Sequence, residues 1–416
     1  MSAFPPFFTM WATNKIINKK NEKNKRIVRY KPSDIEAFIE RDTQIGSYII
    51  SGKNPYQRMK VAGAITYCSL NQGTPVIILH EGNTYLQNHI ANVTAFTNNK
   101  VIINNNNAIY DPFFNRNKQD ICNLIVNSAK KNTSINSSGR QYISGLTDFI
   151  TIKNNVKPFC DIFMSCPFDS LLDKIDEAQN NRQIAEQIAN QIRNQIMQGQ
   201  SEKDNIKAFF SELYSQSNII SKTTNAVNIK TAVEHNGLIM IDIGSSTNDL
   251  LINLIINEIK EILSSGKKIV LLLDDININS NELLAKQIKT IANNCLTTLL
   301  SDDVFAMLGA DENLFNSYVG KASKCILFSH RGASCNKWAE IIGYYDEIKA
   351  SGTAGKNNNV QGLYGAERNH SNIFYSGNID KERRYIVKPE EIANIKQDST
   401  YIIDNNYREL ALVILK

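Results

Sequence analysis

The apolar run Ile269-Val270-Leu271-Leu272-Leu273 ends on two carboxylates, Asp274 and Asp275. A buried strand that delivers acids to its carboxyl end puts them where open α/β sheets bind ligands. In phosphoryl-transfer proteins that use a phosphate loop, the first acid of such a pair orients Mg²⁺ through water and the second positions the attacking water. Asp274 and Asp275 are therefore the candidate catalytic residues, with Asp274 the candidate Mg²⁺ ligand. The plain structural alternative is a turn or cap role, since acid pairs at strand ends are common.

A partner for those acids would be a phosphate loop, and "GSYIISGKNPYQRM", Gly46 to Met59, stands in the right place for one. The loop needs Gly-rich backbone so that amides can wrap the phosphates, a Lys for the outer phosphates and a hydroxyl for Mg²⁺, in the pattern G-x-x-x-x-G-K-S/T. If Lys53 is the lysine, Gly52 fits, Ser47 replaces the first glycine and Asn54 replaces the hydroxyl, with Pro55 following. If instead the loop begins at the strand end, Ser51, Tyr56, Gln57 and Arg58 occupy the Gly, Gly, Lys and hydroxyl positions. Strand and helix lengths favour the second alignment. Neither is intact. Ser51, Gly52, Lys53, Asn54, Gln57 and Arg58 are the candidate nucleotide-binding residues, and the alternative for all of them is an ordinary turn.

The elements that must position these groups are legible as pattern. "GSYIIS", "TPVIILH", "GLIMIDIG", "KKIVLLLDD", "LTTLLSDD" and "CILFSH" are apolar strands. Continuous apolar strands separated by helices indicate a parallel sheet covered on both faces. A helix is expected from Arg58 through "RMKVAGAITYCSLNQG", and another across "NELLAKQIKTIANNC". Ser33 with Glu36, and Ser246 with Asp249, have the spacing of capping boxes. From about Lys118 to Ser217 the pattern is helical without a strong strand, which reads as an all-helical insertion. Gly and Asn crowd Ser351 to Asp380, predicting a mobile loop. "YIVKPEEIANI" restarts a short helix at Pro389, and "STYIID" with "ELALVILK" closes the chain as strands.

Bulk composition narrows the classes. With 416 residues, 42% hydrophobic and 21% charged, the chain can bury a large core without staples. A net charge of +5 permits a nucleic-acid partner without demanding one. Seven cysteines, an odd count with no Cys-x-x-Cys, read as reduced thiols, and five scattered histidines give no zinc spacing. No apolar run reaches membrane-spanning length. Lys15 to Lys31 is strongly basic and could touch anionic lipid or nucleic acid, the alternative being a solvated tail. The abundance of Asn, as in Asn104 to Asn107, carries no site.

The order of these segments resembles the type IV secretion coupling proteins, the TraG/TraD-type conjugation ATPases of the wider FtsK/HerA motor superfamily. "GSYIISGKNPYQRMKVAGAI" stands where that family has its phosphate loop. "AIYDPFFNRNKQDICNLI" resembles its Asn-Pro stretch and following helix. "GLIMIDIGSSTNDLLINLIINEI" with "KKIVLLLDDI" resembles its strand–helix–acid block. "LFNSYVGKASKCILFSHRGASCNKWAEIIGYYD" and "ERRYIVKPEEIANIKQDSTYII" resemble its closing segments, so the likeness runs from about Ile45 to Lys416. It implies an α/β fold, a P-loop NTPase (RecA/FtsK-like) parallel-sheet domain over 45–115 and 230–416, with an all-helical domain over 116–229 that contacts secretion substrates, behind a basic tail and short helix at 1–44. It also implies ATP and Mg²⁺ as ligands, a hexameric ring, and partners among conjugation or secretion components, DNA and relaxosome proteins.

Departures from the family matter equally. The phosphate loop is worn, and "HEGN" keeps only the glycine of the family's Asp-Pro-Lys-Gly. Asp275 stands for a family Glu, and retracting a carboxylate by roughly 1 Å can cost on the order of 100-fold in rate. The sensor position falls at Ser301 or Asp302. Arg331 is a candidate for reaching a neighbouring subunit's phosphates, against the alternative of an exposed surface arginine. The family's two membrane helices have no counterpart here. The resulting expectation is a cytoplasmic protein, peripheral at most at the inner membrane face, that serves conjugative transfer as a degenerate, weakly active or non-hydrolysing subunit. Two rival expectations stand beside it: an active ATPase using Lys53 with Asp275 as base, and a substrate- or relaxosome-binding adaptor for which the sheet is scaffold.

Overall fold

The structure is a computed structural model that describes residues 6–42, 44–129, 135–153, 166–216, 218–221, 225–244, 249–276, 290–291, 294–359 and 370–416. The chain divides into two compact units, a terminal unit of Met1–Ser33 with Ile326–Lys416 and a sheet unit of Asp34–Cys325. The terminal unit opens with α1 (Pro6–Lys25) and β1 (Ile27–Ser33). The sheet unit follows with α2 (Glu36–Glu40), β2 (Ser47–Ser51), α3 (Pro55–Asn71), β3 (Val76–His80), α4 (Thr84–Val93) and β4 (Lys100–Ile103). Helices α5 (Lys118–Ser128), α6 (Ser137–Lys153), α7 (Leu171–Asn180), α8 (Glu186–Gln198) and α9 (Lys203–Gln216) come next. Then come α10 (Ile229–Glu234), β5 (Leu238–Asp242), α11 (Asp249–Ser264), β6 (Val270–Asp274), β7 (Leu296–Ser301), α12 (Val304–Met307), α13 (Glu312–Lys321) and β8 (Ala322–Leu327). The terminal unit resumes with α14 (Ala333–Ile342), β9 (Tyr344–Asn359), β10 (His370–Tyr385), α15 (Pro389–Ala393), β11 (Ser399–Asp404) and β12 (Glu409–Leu415).

The expected parallel α/β sheet is present. Its strand order in the sheet unit is β8-β2-β7-β6-β3-β5-β4. Every pairing from β2 to β4 is parallel. The Val, Ile and Leu runs explain this: all of β3 and β6 is buried, so both faces need helical cover, which crossover helices supply. Gly46 lets the neighbouring strand come close, because a Cβ there would fall 1.8 Å from Ser323 Oγ. Lys324, Asp42 and Tyr48 form a buried group beside that approach, with Lys324 donating to one Asp42 oxygen and the Tyr48 hydroxyl to the other at 2.8 Å.

Between Lys118 and Gln216 the described residues form helices and no strand. Ile121, Leu124 and Ile125 of α5, Tyr142, Ile143 and Leu146 of α6, Ile192 and Ile196 of α8, and Phe209 and Phe210 of α9 are buried, the hydrophobic stripes each helix must hide. A buried ionic knot fastens the approach to these helices onto α11. Arg116 lies 2.9 Å from Glu258 and also donates to Glu261, and the Tyr110 hydroxyl donates to Glu258 at 2.9 Å.

Several sequence expectations are corrected. Ser33 does not cap a helix; it ends β1, and α2 starts at Glu36 with Ile35 in the cap position and no side-chain bond. The basic stretch from Lys15 is no solvated tail, since it closes α1 and then forms β1, which pairs in parallel with β12. Ser351 to Asp380 is not a mobile loop where it is described: β9 and β10 pair in antiparallel register through Ser351↔Asn378 to Asn359↔His370. Gly and Asn are poor strand formers, but a long hairpin satisfies their backbone groups ladder by ladder. Ser246 and most of the helix expected over 281–295 lie outside the described residues.

Candidate functional site

The acids sit as the strand pattern demands, and the loop does not. β2 and β6 are separated in the sheet by β7, so Ser51 and Asp274 are about 10 Å apart across the strand spacing. α3 begins at Pro55, three residues before the expected start, so only Gly52, Lys53 and Asn54 link strand to helix. The Asn54-Pro55 pair causes this. Asn54 Oδ1 accepts from the Gln57 amide at 3.2 Å, and proline at the first helical position has no N–H to offer. The helix terminus that a phosphate would use is thus already capped. Gly52 has φ of 119°, a conformation open to glycine. Ser51 is buried and its Oγ accepts from the Val304 amide at 3.1 Å. Lys53 is exposed and Gln57 buried.

Arg58 dominates the space between the strand ends. Its side chain is 7% exposed, and its guanidinium donates to the Gly52 carbonyl at 2.9 Å and to Asp302 and lies 3.7 Å from Asp275. In the alignment that begins at Ser51, Arg58 is the residue at the Mg²⁺-hydroxyl position. A tethered cation therefore stands where that loop would present a hydroxyl. Asp275 leaves the strand with φ of 51°, in the left-handed region that Asp tolerates, and its carboxylate accepts from the Asp302 amide at 3.3 Å. The second acid is thus engaged in closing a turn. Replacing Arg58 with Met should cost about 2 kcal/mol, from charge-assisted bonds discounted because both partner carboxylates meet solvent. A urea unfolding midpoint unchanged from wild type would refute this clamp.

Asp274 has a different environment. It is 2% exposed, and Oδ2 accepts from Asn83 Nδ2 at 2.7 Å, while Oδ1 is buried without a partner. Burial pushes its carboxyl up to about 7, against the pull of Asn83 and of Arg58 and with a further push from Asp275 and Asp302. A carboxyl so placed favours the neutral form, whereas a Mg²⁺ ligand must be ionised. Next to it, His80 is buried and its Nδ1 accepts from the Asn83 amide at 3.2 Å, which puts the ring proton on Nε2. Burial lowers its pKa, opposed by Asp242, so the imidazole stays neutral. Asp242 Oδ1 accepts from the amides of Gly82 and Gly244, each at 2.9 Å.

Asn83, His80 and Asp242 were not among the sequence candidates, whereas Asp302 was one of the two sensor positions. A signal for three of the cluster's members was available. β3, β5 and β6 are each an apolar run whose last residue titrates, namely His80, Asp242 and Asp274, and the register pairs His80 with both acids. Arg331 lies in the terminal unit, exposed just ahead of α14. Among the described residues no group of three or more His, Cys, Asp or Glu could hold a metal ion, and no helix is long and apolar enough to cross a membrane.

No model of a known protein family matches the sequence, and no curated protein does. Solved structures do. The unbound monoclinic form of the bacterial conjugative coupling protein TrwBdeltaN70 is similar with a TM-score of 0.51 and 12% identity, over 93% of this chain and 91% of that one. The chain has the fold of a conjugative coupling protein. Its trigonal form in complex with sulphate is similar at a TM-score of 0.48 and 13% identity, over 94% of this chain and 92% of that one. VirB4 of Thermoanaerobacter pseudethanolicus is similar at 0.38 and 10% identity, over 71% and 80%. In this coupling-protein fold the parallel sheet keeps its acids at the carboxyl ends of the strands, and among the described residues Arg58 is the side chain that bridges the end of β2 to Asp275 and Asp302.

Proposed function

We propose that this chain serves conjugative DNA transfer or type IV secretion as a coupling-protein-like subunit that does not hydrolyse ATP efficiently. The observation that carries this reading is Arg58, whose guanidinium bridges the Gly52 carbonyl, Asp275 and Asp302 from the helix position a Mg²⁺ ligand would occupy. The link of Gly52, Lys53 and Asn54 adds support, since so short a turn presents too few amides to wrap a triphosphate. ATP and Mg²⁺ would have to displace an ion-paired arginine and ionise a buried Asp274. The helices between Lys118 and Gln216 would then recruit a substrate protein or a relaxosome component, with other conjugation components, DNA and further subunits as partners. Arg331 is retained as the residue that could reach a neighbouring subunit.

Calorimetry with ATP and Mg²⁺ tests this directly. The expected result is no heat of binding at millimolar nucleotide, in wild type and in Asp274→Asn alike. Micromolar binding that Asp274→Asn removes would overturn the proposal. So would DNA-stimulated hydrolysis that Lys53→Ala abolishes.

A further inference from the structure

A groove borders the end of the sheet remote from the acids. Two clefts make it, one of about 410 Å³ between α5, α10 and α11 and one of about 500 Å³ beside the link from α11 into β6. Lys260, Ser264 and Lys267 line both, so the two are continuous. α11 ends at Ser264 and β6 starts at Val270, which puts the groove at the amino end of the strand whose carboxyl end carries Asp274. Among the described residues no aromatic ring lines it.

Its two halves differ in chemistry. Beside β6 the charged lining groups are Lys260, Lys267 and Lys268, with no carboxylate among the described residues. Lys267 donates to the Val233 carbonyl at 2.6 Å and Lys260 to Asn257 Oδ1 at 3.5 Å, and none of the three lysines has an ion-pair partner among the described residues. Burial lowers the pKa of the Lys260 ammonium, the direction expected of a charge short of ligands. Between the three helices, Asp120 and Glu261 are taken by Lys230, at 3.7 Å, and by Arg116, which leaves exposed Glu234 as the acid of that half. Asn123 and Asn127 line the same half with amide groups to spare. Asn123 Oδ1 accepts from Arg140 at 2.6 Å, but its Nδ2 makes no bond among the described residues, nor does the Asn127 side chain.

We propose that this groove binds an acidic, extended peptide segment of a partner protein, with its carboxylates on Lys260, Lys267 and Lys268 and its backbone on Asn123 and Asn127. A carboxamide offers both the donor and the acceptor that a peptide group needs, and complementary charge gives such a contact its selectivity. An isolated phosphate or carboxylate would engage the lysines and leave the amides unused. A nucleic-acid strand would find no ring in the groove, whereas stacking on aromatic side chains is a main component of sequence-tolerant strand binding. The inference is independent of whether the sheet unit binds ATP and of what α6 to α9 recruit.

Fluorescence anisotropy on the whole chain tests it, with a labelled peptide of alternating Glu and Gly and a neutral Gln–Gly peptide of equal length. The variants are the triple substitution Lys260→Gln, Lys267→Gln, Lys268→Gln, the same three positions changed to Arg, Asn127→Ala, and a matched-charge control of Lys337→Gln, Lys388→Gln, Lys396→Gln. Wild type should bind the acidic peptide at low salt and not the neutral one. The triple Gln variant should lose about 10-fold or more in affinity, the sum of three exposed ion pairs, while the Arg variant and the control stay near wild type. Asn127→Ala should weaken binding about 3-fold and leave its salt dependence unchanged. Should the triple Gln variant melt below its control, the exposed single change Lys268→Glu carries the same test, with a loss of about 3-fold or more. Equal affinity in the groove variants and the control would overturn the proposal, as would a wild type that binds neither peptide or both alike. A labelled oligothymidylate that wild type binds and the triple Gln variant loses to the same degree would assign the groove to polyanions at large and overturn the peptide reading.

Discussion

Asp274→Asn is expected to stabilise the protein above neutral pH, by up to about 4 kcal/mol at 1.36 kcal/mol per pKa unit. Burial carries this carboxyl from its ordinary value of 3.8 to about 7. A group whose folded pKa lies above its unfolded one takes up a proton on folding. Stability from the neutral carboxyl is therefore fully present below about pH 4 and drains away as pH rises to about 7, where the folded state must ionise the buried group or hold its proton at a cost. Asparagine is neutral throughout and keeps an oxygen to accept the Asn83 amide. The two proteins should differ little near pH 4, and the variant should lead increasingly towards pH 8. Urea unfolding across that window measures it. A variant less stable than wild type at pH 8 would mean that Asp274 is held ionised by its neighbours, and would revive it as a cation ligand.

Arg116→Met should cost about 3–5 kcal/mol, because it strands a carboxylate that has no access to water. The side chains of Arg116 and Glu258 are 1% and 0% exposed. Burial already raises the Glu258 carboxyl, against Arg116, the Lys230 amide and the Tyr110 hydroxyl. Without the arginine the balance tips wholly toward desolvation. Glu258→Gln removes the charge, retains an oxygen for the Lys230 amide, which reaches it at 3.1 Å, and turns its NH2 to the Tyr110 hydroxyl, whose oxygen can accept. The double variant should therefore recover most of the loss. Thermal and urea unfolding of both single variants and the double variant close the cycle, and additive costs would refute the pairing. Glu261 meets solvent more freely and should matter less.

Both predictions concern residues whose positions were readable in one case and hidden in the other. The apolar runs Ile269 to Leu273 and Val76 to Leu79 indicate strands by themselves, because they are too short for a buried helix, rich in branched side chains and bounded by turn residues. They also put Asp274 at a carboxyl end. The departures from the phosphate-loop pattern stand in the sequence itself, with Asn54 or Arg58 where the two alignments call for a hydroxyl. Asn54-Pro55 also carries the early helix start, an N-cap side chain followed by proline at the first helical position. The parallel sheet and the helical stretch after Lys118 followed from periodicity alone.

What the local pattern left open was adjacency. Arg58 meets Asp302 across 244 positions of chain, Asn83 meets Asp274 across 191, and Arg116 meets Glu261 across 145. Periodicity decides which face of an element is buried, but not which strand lies beside it. That choice belongs to strand order and register, which the whole core sets at once. The same holds for charge. Asp274 reads as an ionised Mg²⁺ ligand in sequence, and only its burial in the folded sheet, against the pull of Asn83 and Arg58, pushes its carboxyl up to about 7. The sequence alone thus determined the parallel sheet and the acids at the carboxyl end of its central strand β6; tertiary packing decided which groups meet them, because desolvation and ion pairing depend on neighbours that the chain brings together only when folded.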